Sequence, residues 1–364
     1  MPWLVPRLRW PFTFEAIAQY HTYVERAFLE HAKAVAPDVV VIDYLFSALF
    51  IPGVFDLPVR RILVSLNNES DFFADQCRLS RNNAGTSRSA IARLRLARFE
   101  RAVCVKSDRV VALSINDLPS DIAHASSTRI IPPALDASPM RWSPSREASL
   151  FFVGNVAHYP NFLAIKWLAE EFAPALAEVM PGGRIRIVGA AAADVAEAWR
   201  KSNIEFLGTS DAETVKTLFA TSTLFIAPIE NAFGSKMKVL QCLSHATPVL
   251  ASAAALSGLP FEGVVPLLRL DDPRAAAETA KRLMTNPALL VDLSARLARE
   301  HAAFLARSES AWDELIVAAC RSPARRAPSR GLASAIDWLL DVPDSPRRPG
   351  YSVGVAGASA ALTT

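Results

Sequence analysis

The sequence predicts an α/β protein with parallel sheets, split into two domains and followed by an irregular tail. Three observations predict it. Short apolar runs recur along the chain, among them Val39–Ile42, Leu150–Val153 and Thr223–Ala227. Helical patterns separate these runs, and strands alternating with helices feed a parallel sheet. The length of 364 residues suggests two domains.

The elements follow in order. Residues 13–34 carry an irregular helical pattern. Val39-Val40-Val41-Ile42 shows no polar alternation and is expected to be a strand buried on both faces. Arg61–Leu66 is a second strand, residues 87–105 a long helix, Arg109–Leu113 a third strand and Thr128–Ile131 a short fourth. Pro132–Ser145 holds four prolines and little periodicity, so the domain boundary falls there, with a first domain at 1–140 and a second at 148–318. The pattern restarts with Leu150–Gly154, a strand ending in glycine. Asn161 is placed to cap a helix reaching about Glu178. Arg184–Gly189 and Asn203–Gly208 are strands, and Asp211 opens a helix to Ala220, more as its N-cap than as a catalyst. After the run ending at Ala227 come a helix starting at Ser235, an apolar run at Pro248–Ala251 and another strand at Val264–Leu267. Helices cover 273–284 and 287–318, the second with a break. From 321 to 364 the composition is that of a linker and disordered tail around a short amphipathic segment, Leu332–Val342.

Composition narrows the function. The net charge is +3, and the segment from Arg321 onward holds six Arg against three Asp, so the rest of the chain is neutral. A neutral body argues against nucleic acid as a partner. Cys77, Cys104, Cys242 and Cys320 are widely spread with no CxxC pair, which fits a reducing, cytoplasmic setting and no zinc site. The first residues, MPWLVPRLRWPF, lack the form of a signal peptide. Val39–Phe55 contains Asp43 and Pro52 and falls short of a membrane span. Peripheral membrane contact stays open.

Residues 223–257 carry the chemistry. The run ending in Ala227-Pro228 leads into Asn231-Ala232-Phe233-Gly234-Ser235, then Lys236 and Lys238 at a helix start, then Pro248–Ala251. Strand, small-residue turn, cationic helix start and strand form a site for a phosphate, because the first N–H groups of the helix are unpaired and the dipole favours an anion. Gly234 allows the backbone to approach a ligand. Lys236 and Lys238 stand about 200° apart on a helix, so at most one reaches the phosphates. The plain alternative is two solvated lysines. The glycine-ended strands at Gly154 and Gly189 share the same sheet edge, where ligands of open α/β sheets bind. The GxGxxG and GxxxxGK[ST] fingerprints are absent.

These residues resemble the C-terminal domain of retaining glycosyltransferases with two Rossmann-like domains facing a cleft, the GT-B fold, group 1. The stretches that carry the resemblance are FFVGNVAHYPNFLAIKWLAEEFAPAL from 151, RIRIVG from 184 and the segment from Ile204 to Ser252. PDVVVIDY from 37, NNES from 67 and RLARFERAVCVKSDRVVALSINDL from 95 extend it into the first half. The resemblance implies a nucleotide-diphospho-sugar donor on the second domain and a glycan, lipid-linked or small acceptor entering from the first, as in polysaccharide assembly. It implies Lys236 and Lys238 as the catalytic cations, and Gly154, Gly208, Glu230, Gly234, Ser235 and Gln241 around the donor. Asp43, Asn67, Glu69 and His158 are candidates for the acceptor or the cleft. Cationic side chains and helix termini would neutralise the leaving diphosphate, with no essential metal or other cofactor.

The sequence also departs from the family. Gln241 stands where a glutamate is usual, Ala232 replaces a turn glycine, and only 36 residues precede Pro37. The last point implies a shortened, incomplete N-terminal domain. These departures leave a second reading, a catalytically degenerate homologue serving as a binding or scaffold protein. A third is another α/β enzyme on the same fold, such as a sugar-nucleotide epimerase or a phosphorylase.

Overall fold

The computed structural model describes residues 14–79, 87–144, 148–156, 158–190, 193–199, 203–230 and 236–321. The first unit contains α1 (Phe14–Val35), β1 (Val39–Asp43), α2 (Ser47–Phe50), β2 (Arg60–Ser65), α3 (Glu69–Leu79), α4 (Ser87–Lys106), β3 (Arg109–Ala112), α5 (Ser120–Ala123) and β4 (Thr128–Ile130). Its strands lie in the order β1-β2-β3-β4, all parallel. Leu63 sits opposite Val110 and Val111 opposite Arg129. Each helical crossover therefore steps the chain one place along the sheet.

One face of this sheet buries Ile42, Leu63, Val110 and Ala112 against Phe55, Phe99 and Val103. A buried ion pair anchors the strand entry: Arg61, fully buried, meets Asp108 at 3.2 Å and donates to the Phe55 carbonyl at 2.8 Å. β1 departs from the expectation of burial on both faces. Ile42 is 1% exposed and Val41 49%. The covering helix on the second face reaches Ile62, Val64 and Val111 of β2 and β3, and leaves Val41 on the edge strand open.

The second unit holds β5 (Ser149–Val153), α6 (Tyr159–Trp167), α7 (Ala173–Val179), β6 (Arg184–Val188), α8 (Ala193–Ala198), β7 (Ile204–Gly208), α9 (Ala212–Thr221), β8 (Leu224–Ala227), α10 (Met237–Ser244), β9 (Val249–Ala251), α11 (Ala253–Leu256), α12 (Pro273–Met284) and α13 (Pro287–Arg321). Its parallel sheet runs β7-β6-β5-β8-β9. The chain winds outward from β5 to β7, then returns to β8 on the other side of β5, so the order reverses between β5 and β8. Phe151, Phe219 and Phe225 fill the core there, with ring centroids 4.9–5.4 Å apart. Burying such rings is worth more than their area through edge-on packing.

The proline-rich stretch predicted as a boundary is irregular, yet it is stitched to the second unit. Trp142 donates its Nε1–H to the Ser222 carbonyl at 2.8 Å, and Ser138 N–H reaches Ser244 O at 2.9 Å. α13 then ties the units together. Its first half buries Leu290, Leu293, Leu297 and Phe304 in the second core, and its last turns pack Leu315 and Ala319 on Ile62 and Val111 of the first sheet.

Three further expectations are corrected. α13 runs unbroken for 35 residues, because its apolar face passes continuously from one core to the other. Residues 264–267 do not form a strand. Only Leu267 bridges to Ala251, at the edge of the sheet beyond β9. Asn161 does not cap α6, whose N-cap is His158, and the helix continues through a π-helical turn at Leu168–Phe172 into α7. Asp211 is the N-cap expected of it, accepting from Thr214 N–H at 2.7 Å. Trp167 and Trp199 pack in the helical layer, their indole N–H groups bonded to Leu270 O and Glu170 Oε1. The amphipathic segment 332–342 lies outside the described residues.

Candidate functional site

The switch between β5 and β8 places two strand ends side by side, and crevices of this kind outside the carboxyl ends of parallel strands receive ligands. β5 ends in Val153-Gly154. Gly154 N–H bonds Val188 O at 2.8 Å, and Gly189 N–H bonds Gly208 O at 2.8 Å, so three glycines continue the strand ends β5, β6 and β7 along one edge. The edge is made tightly. A Cβ on Gly189, at φ +137°, would fall 2.2 Å from the Gly154 carbonyl oxygen, and one on Gly154 would fall 2.7 Å from Asn161 Cγ.

The lysines flank this edge from α10. Lys236 is the N-cap of α10 and not part of its first turn, and it is 9% exposed. Lys238, half-buried, donates to Asn161 Oδ1, and its Nζ stands 4.9 Å from the centroid of the Phe152 ring. Burial lowers both ammonium groups from 10.5 to about 8. For Lys236 the negative charge of Asp117 works against that lowering. The two lysines thus diverge, one toward the first unit and the other onto the end of β5. Gly234 and Ser235 lie outside the described residues.

The other donor-side candidates separate. Glu230 is exposed and lines a groove of about 380 Å³ with Ser252 and Leu268–Asp271. Gln241 is exposed on α10, and its carbonyl accepts from Ser244 Oγ at 2.9 Å. His158 is exposed at the start of α6, with its imidazole pKa lowered first by partial desolvation and then by the charge of Lys238. It therefore joins Gly154 and Lys238.

On the first unit, the carboxyl ends of β1, β2 and β3 gather a second set. Glu69 is 5% exposed, accepts from Asn67 Nδ2 at 3.2 Å and from the Tyr44 hydroxyl, and is pushed up by burial. Tyr44 adopts φ +73°, an unusual conformation for a side chain of its size, and burial raises its phenol first, with the Glu69 charge second. Asp43, just before it, is exposed, and its carbonyl accepts from Ser47 Oγ at 2.6 Å.

Two carboxylates in this set were not predicted from the sequence. Glu100 of α4 is fully buried and receives Glu69 N–H at 2.9 Å and Ser70 N–H at 3.4 Å, so it holds the N-terminus of α3; burial raises it to about 7. Asp117 follows β3 and is 2% exposed. Its backbone carbonyl accepts from Ser65 Oγ at 3.1 Å, while its Oδ2 has no hydrogen-bond partner. Burial raises it to about 7 against the attraction of Lys236, with the Glu69 charge adding to the rise. The same unit carries a cavity of about 740 Å³ between α3, α4 and α5, lined by Asn68, Ser70, Asp71, Arg101, Asn116 and His124. Among the described residues, no group of three or more His, Cys, Asp or Glu side chains is placed to hold a metal ion, and no helix is long and apolar enough to cross a membrane.

Solved structures share this arrangement of two parallel-sheet units. Sucrose-phosphate synthase from Thermosynechococcus elongatus superposes with a TM-score of 0.58 at 17% identity, covering 84% of this chain and 81% of that one. An alpha,alpha-trehalose-phosphate synthase (UDP-forming) from Burkholderia vietnamiensis gives 0.54 at 14% identity, covering 85% and 77%. TarM gives 0.57 at 12% identity and 80% coverage, and the chain spans 57% of TarM's length. The fold is GT-B. The family model described as Glycosyl transferases group 1 matches residues 147–286, from just before β5 to just past α12. A comparison with curated protein sequences gives no match.

Proposed function

We propose that this protein transfers a sugar from a nucleotide-diphospho-sugar to an acceptor hydroxyl, with retention of configuration. The observation that carries the reading is the switch between β5 and β8, where Gly154 ends β5 against Asn161 and two desolvated lysines flank the strand end. Burial lowers both ammonium pKa values, and an anion at close range restores the charged form, so the pair fits an anion-binding role better than a scaffold role. The group 1 match spans that same unit.

In this reading residues 148–318 form the donor domain and 1–140 the acceptor domain, and 321–364 is an appended tail. The diphosphate sits between the end of β5 and the start of α10. Lys236, Lys238 and the helix N-terminus oppose the charge that grows on it as the anomeric C–O bond breaks. Gly234 and Ser235 would lie beside it, with Gly208 toward the base and Glu230 and Gln241 at the rim. A bond forms from the anomeric carbon to the acceptor oxygen, and nucleoside diphosphate and one proton leave. These groups neutralise the leaving group without an essential metal. Glu69, Asn67 and Asp117 face the acceptor, with His158 and Asp43 at the cleft margin. The cavity of about 740 Å³ on the first unit, lined by Asn68, Asn116, Asp71, Asp121 and Arg101, suits a polyhydroxylated acceptor.

The test is calorimetric titration with UDP-, GDP- and ADP-sugars, followed by nucleotide release in the presence of glycoside acceptors. Binding of one donor class with slow hydrolysis is expected. Absence of binding by every nucleotide sugar would sink the reading. The anomeric configuration of a product, read by NMR, decides retention.

A further inference from the structure

The sequence reads Asn161 as a helix cap, and the structure frees it from that task. It sits in the first turn of α6, 7% exposed, with its side chain directed at the strand end. Its Nδ2 donates to the Asn155 carbonyl at 2.9 Å, which fixes which way the amide faces. Its Oδ1 then points to Lys238 and accepts from the ammonium. Asn161 also fills the space beside Gly154 that a Cβ would need. On the far side the ammonium rests over the Phe152 ring. One amide therefore sets both the wall of the opening and the location of its charge.

We propose that Asn161 is a positioning residue that holds the Lys238 ammonium at the end of β5 for the diphosphate of the donor. This rests on the donor-site reading above. A lysine has four rotatable bonds and a compact charge. Left alone at an opening, it would extend toward water and lower its own desolvation. A neutral acceptor whose own orientation is locked keeps the charge in place without cancelling it. A carboxylate there would bind the ammonium more strongly and also repel the incoming diphosphate.

A double-mutant cycle on UDP, GDP or ADP affinity tests this. Asn161→Ala is expected to weaken binding by about 10-fold, the loss of a hydrogen bond to a charged group. In a Lys238→Met background the same change is expected to alter affinity less than about 2-fold. Equal losses in both backgrounds would show that Asn161 acts on the fold and would overturn the proposal, as would full affinity in Asn161→Ala. If Asn161→Ala melts early, the alkaline limb of binding in Asn161→Asp replaces the cycle. Affinity for an anion falls as Lys236 and Lys238 lose their protons near pH 8, so the limb is read in a Lys236→Met background where Lys238 alone titrates. Asn161→Asp is expected to move that fall upward by about one pH unit, since an adjacent carboxylate favours the ammonium. An unmoved midpoint refutes the positioning role. Wild-type protein that binds none of the three nucleotides overturns the donor-site reading and this inference together. Wild-type binding that Lys238→Met weakens and Asn161→Ala does not overturns the inference alone.

Discussion

Replacing Asp117 with Asn should stabilise the protein above neutral pH and not below pH 5. The carboxyl is 2% exposed, one of its oxygens has no partner, and its pKa rises from 3.8 to about 7 on folding. That rise corresponds to roughly 4 kcal/mol against the ionised form. The substituted amide carries no charge, though burying it without a partner offsets about 1–3 kcal/mol of the gain. The net expectation is a gain of about 1–3 kcal/mol at pH 8. The sign follows from proton linkage. Between pH 3.8 and about 7 the native state holds a proton that the unfolded chain has released, so the wild type loses stability as pH rises through this window. Asn has no such loss. Urea unfolding followed by tryptophan fluorescence at pH 4.5, 6 and 8 measures the gap. A gap that stays constant across these values, or a wild type more stable than the variant at pH 8, refutes the argument. In the proposed function, Asp117→Asn should slow transfer to the acceptor while nucleotide affinity changes less than about 3-fold, the size of a second-order effect through Lys236.

Three further outcomes follow from the same geometry. Lys236→Met should weaken nucleoside diphosphate binding by about 10–100-fold without lowering the melting temperature, because the lost ammonium was itself desolvated; calorimetry and melting curves read the two effects separately. Gly189→Ala should cost more than about 3 kcal/mol, since its Cβ would meet the Gly154 carbonyl oxygen at 2.2 Å with φ at +137°; a soluble variant with wild-type urea midpoint contradicts the glycine-edge account. Leu315→Ala, at the end of α13 on the first sheet, should cost about 2–4 kcal/mol, and hydrogen exchange should show the protection lost around Ile62 and Val111 rather than around Phe225.

Much of the fold was legible because its strands leave short segments rich in Ile, Val, Phe and Leu, fully buried in Leu224–Ala227 and alternating with polar residues in Arg184–Val188. Arg184–Val188, Ile204–Gly208 and Leu224–Ala227 all lie within one residue of their predicted positions. What failed depended on neighbours remote in sequence. Val41 looks like its companions in β1, and only the reach of α13 decides that it is open. α13 reads as broken because its apolar face serves two cores in succession. The site divides along the same line. Gly154 and Lys238 announce themselves through strand end and helix start. Glu100 lies between Arg98 and Arg101 in a charged helical stretch that reads as a solvated face, and only the docking of α3 buries it. Asp117 reads as an ordinary turn residue after a strand. The one signal for it is its place after the run Arg109–Leu113, just past the carboxyl end of a strand in the first sheet.

The two halves of the site share a physical condition that makes the donor reading testable without knowing the acceptor. Lys236 and Lys238 have ammonium pKa values near 8, so each is about half protonated at pH 8. A bound diphosphate is an opposite charge at close range and restores the ammonium form. A nucleotide sugar has no group of its own that titrates near neutrality, so the protons must come from solvent. Binding at pH 8 should therefore take up about one proton in total. At about pH 6.5 both lysines are already charged and their share of the uptake should fall close to zero. Calorimetric titrations in two buffers of different ionisation enthalpy give the number directly. The Lys238→Met variant should halve it at pH 8. Uptake that is zero at pH 8, or the same in Lys238→Met as in the wild type, would mean that the diphosphate does not meet these lysines, whatever else the cleft binds.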